Sequence, residues 1–271
     1  MHPFDEALRL DPLSPGVYTG VSSPAYWNMV GPFGGMTAAT ALNAVLQHPH
    51  LLGEPISLTV NYAGPIAVGP FAVTATPRRT NRSTQHWLIE LVQTGATGEE
   101  EVMLTATAVT AARRATWSHD EATMPQTPSP HQLPSSRLMN SMAWIDRYDI
   151  RFAQGHFPQT WDGQGDASLS QVWVRDEPPR PLDFCSLAAM ADIFYPRVYL
   201  RRALAVPAGT VSMTVYFHAD GAELQQSGTQ FLLGQAQAQA FRNGFFDQSS
   251  QLWNESGVLL ATTHQIVYFK Q

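Results

Sequence analysis

Residues 181–196 read PLDFCSLAAMADIFYP, and this stretch organises the second half of the chain. Its apolar side chains recur at the three- and four-residue spacing of a helix that buries one face: Phe184, Leu187, Ala188, Ala191 and Phe194. Asp183 is of a residue type that caps helix N-termini, and Pro196 cannot continue a helix. The stretch therefore predicts a buried helix between these two residues.

Asp192 falls near the C-terminal end of this predicted helix. The helix dipole disfavours a negative charge at that end, and apolar neighbours raise the cost of ionising a carboxyl group. This segment alone leaves two interpretations open. Either Asp192 faces water at the end of a helix, or it is a functional carboxylate held in an apolar site.

The composition is that of a compact globular protein and excludes some classes of partner. Of the 271 residues, 44% are hydrophobic and only 14% are charged, and the formal net charge is -6. Such a chain has no basic surface for nucleic acid, so we expect no nucleic-acid partner. A polyanionic ligand would need local arginine side chains and backbone amides.

Cysteine usage and hydropathy indicate the compartment. Cys185 is the single cysteine and lies inside the predicted helix, so no intrachain disulfide is possible, and we interpret it as a small buried hydrophobe. The first residues lack the basic start and apolar core of a signal peptide. No apolar run approaches the roughly 20 residues that a spanning helix needs. We therefore expect a cytoplasmic protein without membrane insertion.

Neither a metal nor a cofactor is predicted. The histidines show no paired spacing of metal ligands except His48 and His50, which a proline separates in a loop. Gly163 and Gly165 lack both the preceding strand and the third glycine of a dinucleotide site.

Each half of the chain shows one helix followed by four segments of period two. In the first half, the glycine-rich stretch at 31–35 opens an alanine-rich helix over Met36–Gln47. The period-two segments predict antiparallel meanders and span residues 56–62, 71–76, 86–92, 102–109, 210–218, 231–241, 244–253 and 258–269. We predict an N-terminal repeat at 1–117, a proline-rich linker at 118–140 and a C-terminal repeat at 141–271.

The two halves match each other as an internal duplication would. Ser57-Leu58-Thr59-Val60 matches Ser212-Met213-Thr214-Val215 at an offset of 155 residues (212 minus 57), and the order of elements repeats as well. A long helix lying on an antiparallel sheet, present twice, predicts an α+β fold in which two helix-wrapped sheets join side by side.

Several segments carry a resemblance to a known family: Gln171–Arg175, Leu187–Pro196, Thr210–His218 and Gly257–Gln265, with Phe33-Gly34-Gly35 before the first helix. They resemble the TesB-like acyl-CoA thioesterase II family. The resemblance implies a double hotdog fold of class α+β, an acyl-CoA substrate, and a homodimer or higher homo-oligomer.

The family's active site consists of an Asp, a Thr and a Gln, which fall by motif on Asp192, Thr210 and Gln265. The resemblance implies that they hold and activate a water that attacks the thioester carbonyl, with Asp192 as general base or water-orienter and Thr210 and Gln265 as hydrogen-bonding partners. A serine hydrolase is disfavoured because the sequence contains no GxSxG motif. The positions in the first half that correspond to Asp192 and Gln265 are close to Thr37 and Thr110, so we predict one active site per chain.

The acyl chain would need an apolar tunnel beside the carboxylate. The candidate substrate-binding residues are Gly34, Gly35, Met36, Phe194 and Tyr195. Core packing is the alternative role for the bulky candidates, which also include Phe33, Trp87, Phe184 and Met190. The amides of Gly34 and Gly35 are candidates to polarise the thioester carbonyl. Arg78, Arg79 and Arg82 either contact the phosphates of coenzyme A or form a solvated turn.

Two sites depart from the family pattern. Met36 stands where better-known members have Gln, and Ser212 stands where they have an acidic residue. Both departures predict a changed substrate range.

Two other functions fit the same scaffold. One is a non-catalytic protein that binds acyl-CoA or an acyl chain. The other is a hotdog enoyl-CoA hydratase, which would need an Asp and a His placed for water addition. His218 and His264 are the nearby candidates for that His.

Overall fold

The computed structural model describes residues 1–95, 97–136 and 142–270. In the first half, α1 (Pro3–Ala7), β1 (Asp11–Ser14) and β2 (Val17–Val21) precede a long helix, α2 (Gly34–Leu46). Four strands follow, namely β3 (Glu54–Tyr62), β4 (Pro70–Thr80), β5 (Thr84–Thr94) and β6 (Glu100–Ala111). All four period-two segments predicted for this half are strands.

The second half repeats this order with additions. Its elements are β7 (Tyr148–Gln154), β8 (Ser170–Asp176), α3 (Phe184–Met190), α4 (Arg197–Arg202), β9 (Ala208–Phe217), α5 (Gly221–Ser227), β10 (Leu232–Gln237), β11 (Phe241–Arg242), β12 (Phe245–Asn254) and β13 (Leu259–Phe269). Single 3-10 turns occur at Pro24–Tyr26, Pro130–Gln132 and Ala143–Arg147. The sequence did not predict α1, α4 or α5, which are short helices of five to seven residues.

The strands form one continuous antiparallel sheet in the order β1-β2-β4-β5-β6-β3-β9-β13-β12-β10-β8-β7, with β11 beside β12. The halves join where β3 pairs with β9. Thr59 lies directly opposite Thr214, and their hydroxyl oxygens are 3.0 Å apart. These are equivalent residues of the two repeats, so a pseudo-twofold axis passes between them. The predicted duplication and the α+β fold of two joined sheets are confirmed.

The two central helices lie against this sheet and against each other. In α2 almost every side chain is buried, and alanine and threonine allow close packing on the strands. Asp183 caps α3 as predicted, since its carboxylate accepts a hydrogen bond of 2.8 Å from the Ser186 amide. Cys185 is buried beside it, which raises the pKa of the thiol and keeps it protonated.

The predicted length of α3 is wrong. The helix ends at Met190, and the amides of Asp192 and Ile193 instead form tight bonds to the carbonyls three residues earlier. Pro196 explains part of this difference, because the residue before a proline avoids helical backbone angles. Asp192 therefore occupies a turn after the helix.

Residues 118–136, the described part of the predicted linker, contain no strand and pack on the second half. The carbonyl of Pro128 accepts a bond of 3.0 Å from the Trp173 indole, and Ser135 donates to Asp149 at 2.9 Å. Residues 137–141 and residue 271, which include the end of the predicted linker, lie outside the described residues. The division into 1–117, 118–140 and 141–271 stays a proposal.

None of the helices in the described ranges combines the length and the apolar character that crossing a lipid bilayer requires.

Candidate active site

Asp192 lies where the end of α3 meets the start of α2. Its Oδ1 accepts a hydrogen bond of 2.8 Å from Nε2 of Gln265 on β13. The backbone amide of Gly35, in the first turn of α2, also donates to the carboxylate. One residue from each half of the chain thus holds this single acidic group.

Thr210 completes a chain of hydrogen bonds through Gln265. The hydroxyl of Thr210 donates to Oε1 of Gln265 at 3.4 Å, while Gln265 Nε2 also approaches the sulfur of Met213 at 3.3 Å. Asp192, Gln265 and Thr210 are therefore brought together, as the resemblance led us to expect, although their chemical roles remain a proposal.

A bulge in β9 aims Thr210 at this site. Gln265 pairs with Met213, but Val267 pairs with Thr210, so Val211 is an extra residue on β9. Strict alternation from the buried Met213 would turn Val211 inward and Thr210 outward. Instead Val211 is exposed and Thr210 reaches Gln265.

Gly34 allows the close approach of α2 to the carboxylate. A Cβ atom on Gly34 would lie 2.7 Å from Asp192 Oδ2, which is too short for any side chain. Tyr62 on β3 fixes this first turn, because its hydroxyl donates to the Gly34 carbonyl at 2.9 Å. The Gly34–Gly35 pair thus lies directly against the carboxylate, and polarisation of a substrate carbonyl by its amides stays a prediction.

Burial raises the pKa of Asp192 to about 7, and the hydrogen bonds from Gln265 and Gly35 lower it only part of the way back. The residue is partly exposed because one side of it lines a cavity, whereas protein atoms surround the rest of the carboxylate. A carboxyl group with this pKa can accept a proton near neutral pH and release it again.

The cavity beside Asp192 has a volume of about 530 Å³ and is lined by both halves of the chain. Its walls are mostly apolar and include Met29, Phe33, Ile66 and Met103 from the first half and Ile150, Phe152, Phe157, Val172, Phe194 and Tyr195 from the second. Asp192, Thr210, Gln265 and Gly34 also line it. This volume is typical of sites for small organic ligands.

Some of the candidate substrate-binding residues do not reach this cavity. Met36 is buried against the core and borders a separate pocket of about 20 Å³. Trp87 and Met190 are also in the core, and Phe184 packs beside it against Phe217. For these four residues core packing is the role that the structure shows.

The first half has no carboxylate or glutamine at the positions equivalent to Asp192 and Gln265. Thr110, the counterpart of Gln265, is fully buried and accepts a bond of 3.0 Å from the Trp87 indole. Thr37, the counterpart of Asp192, donates to the Phe33 carbonyl at 3.3 Å. Neither residue can serve as a base.

The histidines required by a hydratase lie elsewhere. His218 bonds to the hydroxyl of Thr262 at 2.9 Å, and His264 is largely exposed beside Asp247. Neither residue lines the cavity. Within the described ranges, no three His, Cys, Asp or Glu side chains gather closely enough to hold a metal ion.

Sequence reasoning missed three residues of the site: Tyr62, Trp144 and Gln248. Tyr62 orients α2, whereas Trp144 stacks on Phe33 with ring centroids 4.3 Å apart and lines the cavity. Gln248 lies opposite Gln265 on the neighbouring strand. The pairing of β12 with β13 was the one signal that could have indicated Gln248.

Two helices, each wrapped by its half of a shared sheet, with the Asp192 carboxylate at their junction, define a double hotdog protein. Comparison with protein-family models gives the family. The acyl-CoA thioesterase N-terminal domain matches residues 23–111, and the acyl-CoA thioesterase C-terminal domain matches residues 119–269. The chain belongs to the TesB-like acyl-CoA thioesterase family, which confirms the resemblance.

Solved structures agree on the fold. A hot dog fold protein of unknown function from Alicyclobacillus acidocaldarius is 45% identical with a TM-score of 0.93, and the match covers 100% of this chain and 99% of that one. The acyl-CoA thioesterase II TesB2 from Mycobacterium marinum is 20% identical with a TM-score of 0.78, and 98% of each chain is covered. No curated protein matches the chain significantly in sequence.

Proposed function

We propose that this protein hydrolyses a fatty-acyl or related acyl-CoA thioester to the free acid and coenzyme A. The observation that carries the proposal is the hydrogen-bond chain from Asp192 through Gln265 to Thr210, at the wall of an apolar cavity of about 530 Å³. The apolar walls suit an acyl chain, and the polar chain suits a water molecule next to its thioester end.

The direction of the hydrogen bonds determines what each group can still do. Gln265 must turn its NH₂ group to the carboxylate, which leaves its Oε1 to accept from Thr210. The Thr210 oxygen therefore keeps a lone pair free to accept a hydrogen bond from a bound water. Asp192 accepts a hydrogen bond from the other O–H of this water, so a lone pair of the water oxygen is directed towards the substrate.

The reaction then needs no covalent intermediate with the protein. The water oxygen attacks the carbonyl carbon while Asp192 takes its proton. The tetrahedral intermediate collapses with cleavage of the C–S bond, and the departing thiolate takes the proton from Asp192. The acid and coenzyme A are released, and the carboxylate is restored.

The experiment that tests the proposal follows thiol release from a panel of acyl-CoA substrates of different chain lengths. Asp192→Asn keeps the shape of the side chain but removes the base, so we expect a fall in kcat of at least about 100-fold. Asp176→Asn is the matched control, since Asp176 is a buried carboxyl group that does not line the cavity. It should retain activity.

The absence of thiol release from every acyl-CoA would contradict hydrolysis. Binding of the same ligands without turnover would then favour the non-catalytic acyl-CoA-binding alternative. The expected homodimer or higher oligomer and the expected cytoplasmic location remain predictions.

A further inference from the structure

Gln248 is a buried polar residue that the proposed reaction has not yet used. It lies on β12, is 2% exposed and lines the same cavity as Asp192. Its Nε2 is covered by protein atoms and has no hydrogen-bond acceptor among the residues that the structure describes. Burying an unpaired amide donor destabilises a folded protein, and rotation of the amide about its Cγ–Cδ bond, which brings Nε2 to the cavity and to an acceptor from outside the chain, breaks no hydrogen bond of this donor.

The equivalent residue in the first half shows what a satisfied amide looks like. Gln85 lies opposite Thr110 as Gln248 lies opposite Gln265. Gln85 Nε2 donates to the His50 carbonyl at 3.0 Å and to the Thr80 hydroxyl at 2.9 Å, and its Oε1 accepts from the Leu52 amide at 2.8 Å. The repeat that lacks the carboxylate thus pairs its glutamine internally, whereas the repeat with the carboxylate leaves the Nε2 donor unpaired.

The register of the strands places Gln248 next to the reacting groups. Gln248 and Gln265 are directly opposite on paired strands, so their Cβ atoms are about 5 Å apart on the same face of the sheet. Gln265 itself contacts both Asp192 and Thr210. A water held by those two residues must meet a carbonyl carbon at about 3 Å to react, which brings the carbonyl oxygen within reach of the neighbouring amide.

We propose that the Gln248 side-chain amide donates a hydrogen bond to the thioester carbonyl oxygen of the bound acyl-CoA. This inference deepens the proposed function and rests on it. An alkyl chain offers no acceptor, and Gly35 is not among the residues that line the cavity. As the water oxygen adds to the carbonyl carbon, negative charge develops on the carbonyl oxygen, and the bond from Gln248 strengthens.

The direct test compares binding of decanoyl-CoA with binding of S-decyl-CoA, the thioether that lacks the carbonyl. Both are measured by calorimetry on the Asp192→Asn protein, which does not turn the thioester over, with and without Gln248→Met. We expect Gln248→Met to raise the Kd of decanoyl-CoA about tenfold, the loss of one hydrogen bond, and to leave the Kd of S-decyl-CoA unchanged.

Turnover and stability provide independent measurements on the protein with Asp192 intact. Gln248→Met should lower kcat by about 10²–10³, as for the loss of one donor to a developing oxyanion. Its Tm should not fall, because methionine fills the space without an unpaired donor. Gln251→Met is the matched control, since Gln251 lies on the same strand but on the opposite face, and it should leave both kcat and the two Kd values unchanged.

Equal effects of Gln248→Met on both ligands, or no effect on either, would overturn the proposal, and so would a lowered Tm with unchanged kcat. Gln248→Leu repeats the test if the methionine variant does not fold. Failure of the proposed function has a different signature. In that case no acyl-CoA releases thiol from the wild-type protein, while the comparison of thioester with thioether still decides the role of Gln248.

Discussion

The carboxylate of Asp192 is held by one residue from each half of the chain, Gln265 and Gly35. Its surroundings raise its pKa to about 7, because burial outweighs the two hydrogen bonds that favour the charged form. A base of this strength is half-ionised at neutral pH. Its protonation state should therefore limit the rate on the acid side.

The dependence of kcat/KM on pH tests this directly. Only the ionised form of Asp192 can accept the proton of the attacking water, so log kcat/KM should rise by about one unit per pH unit below pH 7 and level off above it. Steady-state hydrolysis between pH 5 and pH 9 measures the profile. Asp176→Asn should leave the inflection in place, and a profile that is flat through this range would show that Asp192 is not the base.

Among the secondary-structure elements, the first turn of α2 determines the geometry of the site. Gly34 approaches Asp192 more closely than any side chain would allow, and Tyr62 reaches from β3 to bind the Gly34 carbonyl. The turn is thus tied to the sheet below it and to the carboxylate beside it. Loss of the contact between this turn and Tyr62 should therefore displace Asp192 without unfolding the protein.

Tyr62→Phe removes this tie without changing the shape of the side chain. We expect a loss of about 1 kcal/mol, or about 2–4 °C in Tm, together with a several-fold fall in kcat. Tyr18→Phe is the matched control in the same half, because the hydroxyl of Tyr18 is buried and has no partner among the described residues. Its Tm should stay constant or rise. Equal losses of Tm in both variants would argue against a specific role for the Tyr62 bond.

The bulge in β9 and the early end of α3 are two features that the sequence pattern does not predict. Alternation in β9 would turn Thr210 outward, and the extra residue that corrects its direction has no signature in the sequence. The helical spacing of residues 184–194 continues past Met190 although the backbone does not. Local periodicity predicts an element, but its end and any bulge depend on contacts with distant segments.

Across the whole molecule, buried carboxyl groups link stability to pH. Asp176 is 1% exposed, and both of its oxygens lack a hydrogen-bond donor among the described residues. Burial raises its pKa to about 7 from an ordinary value of 3.8, with a smaller opposing effect from Arg180. The folded protein therefore binds this proton more tightly than the unfolded chain does, so the stabilisation is complete below about pH 4 and is lost as the pH rises through 7.

Asp176→Asn should abolish the loss of stability at high pH, since asparagine resembles the protonated acid at every pH. The Tm of the variant should match that of the wild type near pH 4 and exceed it by several °C at pH 8. Differential scanning calorimetry at the two values measures the difference. A Tm difference that does not grow between pH 4 and pH 8 would show that the pKa of Asp176 is not raised.

The overall architecture was more predictable than the site. A four-residue match at an offset of 155 and eight period-two segments were enough to predict two joined sheets, because both signals can be read from the sequence without knowledge of contacts. The family resemblance indicated Asp192, Thr210 and Gln265. Gln248 and Tyr62 could not be found in this way, since their importance depends on which residue faces them across the sheet and not on their neighbours in sequence.

The pseudo-twofold axis between Thr59 and Thr214 relates two halves that are encoded separately. In an assembly of two identical chains, any substitution enters both symmetry-related sites at once. Covalent fusion removes that coupling: one repeat can retain an acidic group at position 192 while the other has a threonine at 37. Evolution could thus tune a lone reaction centre without having to preserve its twin, and directed evolution of this scaffold has the same freedom.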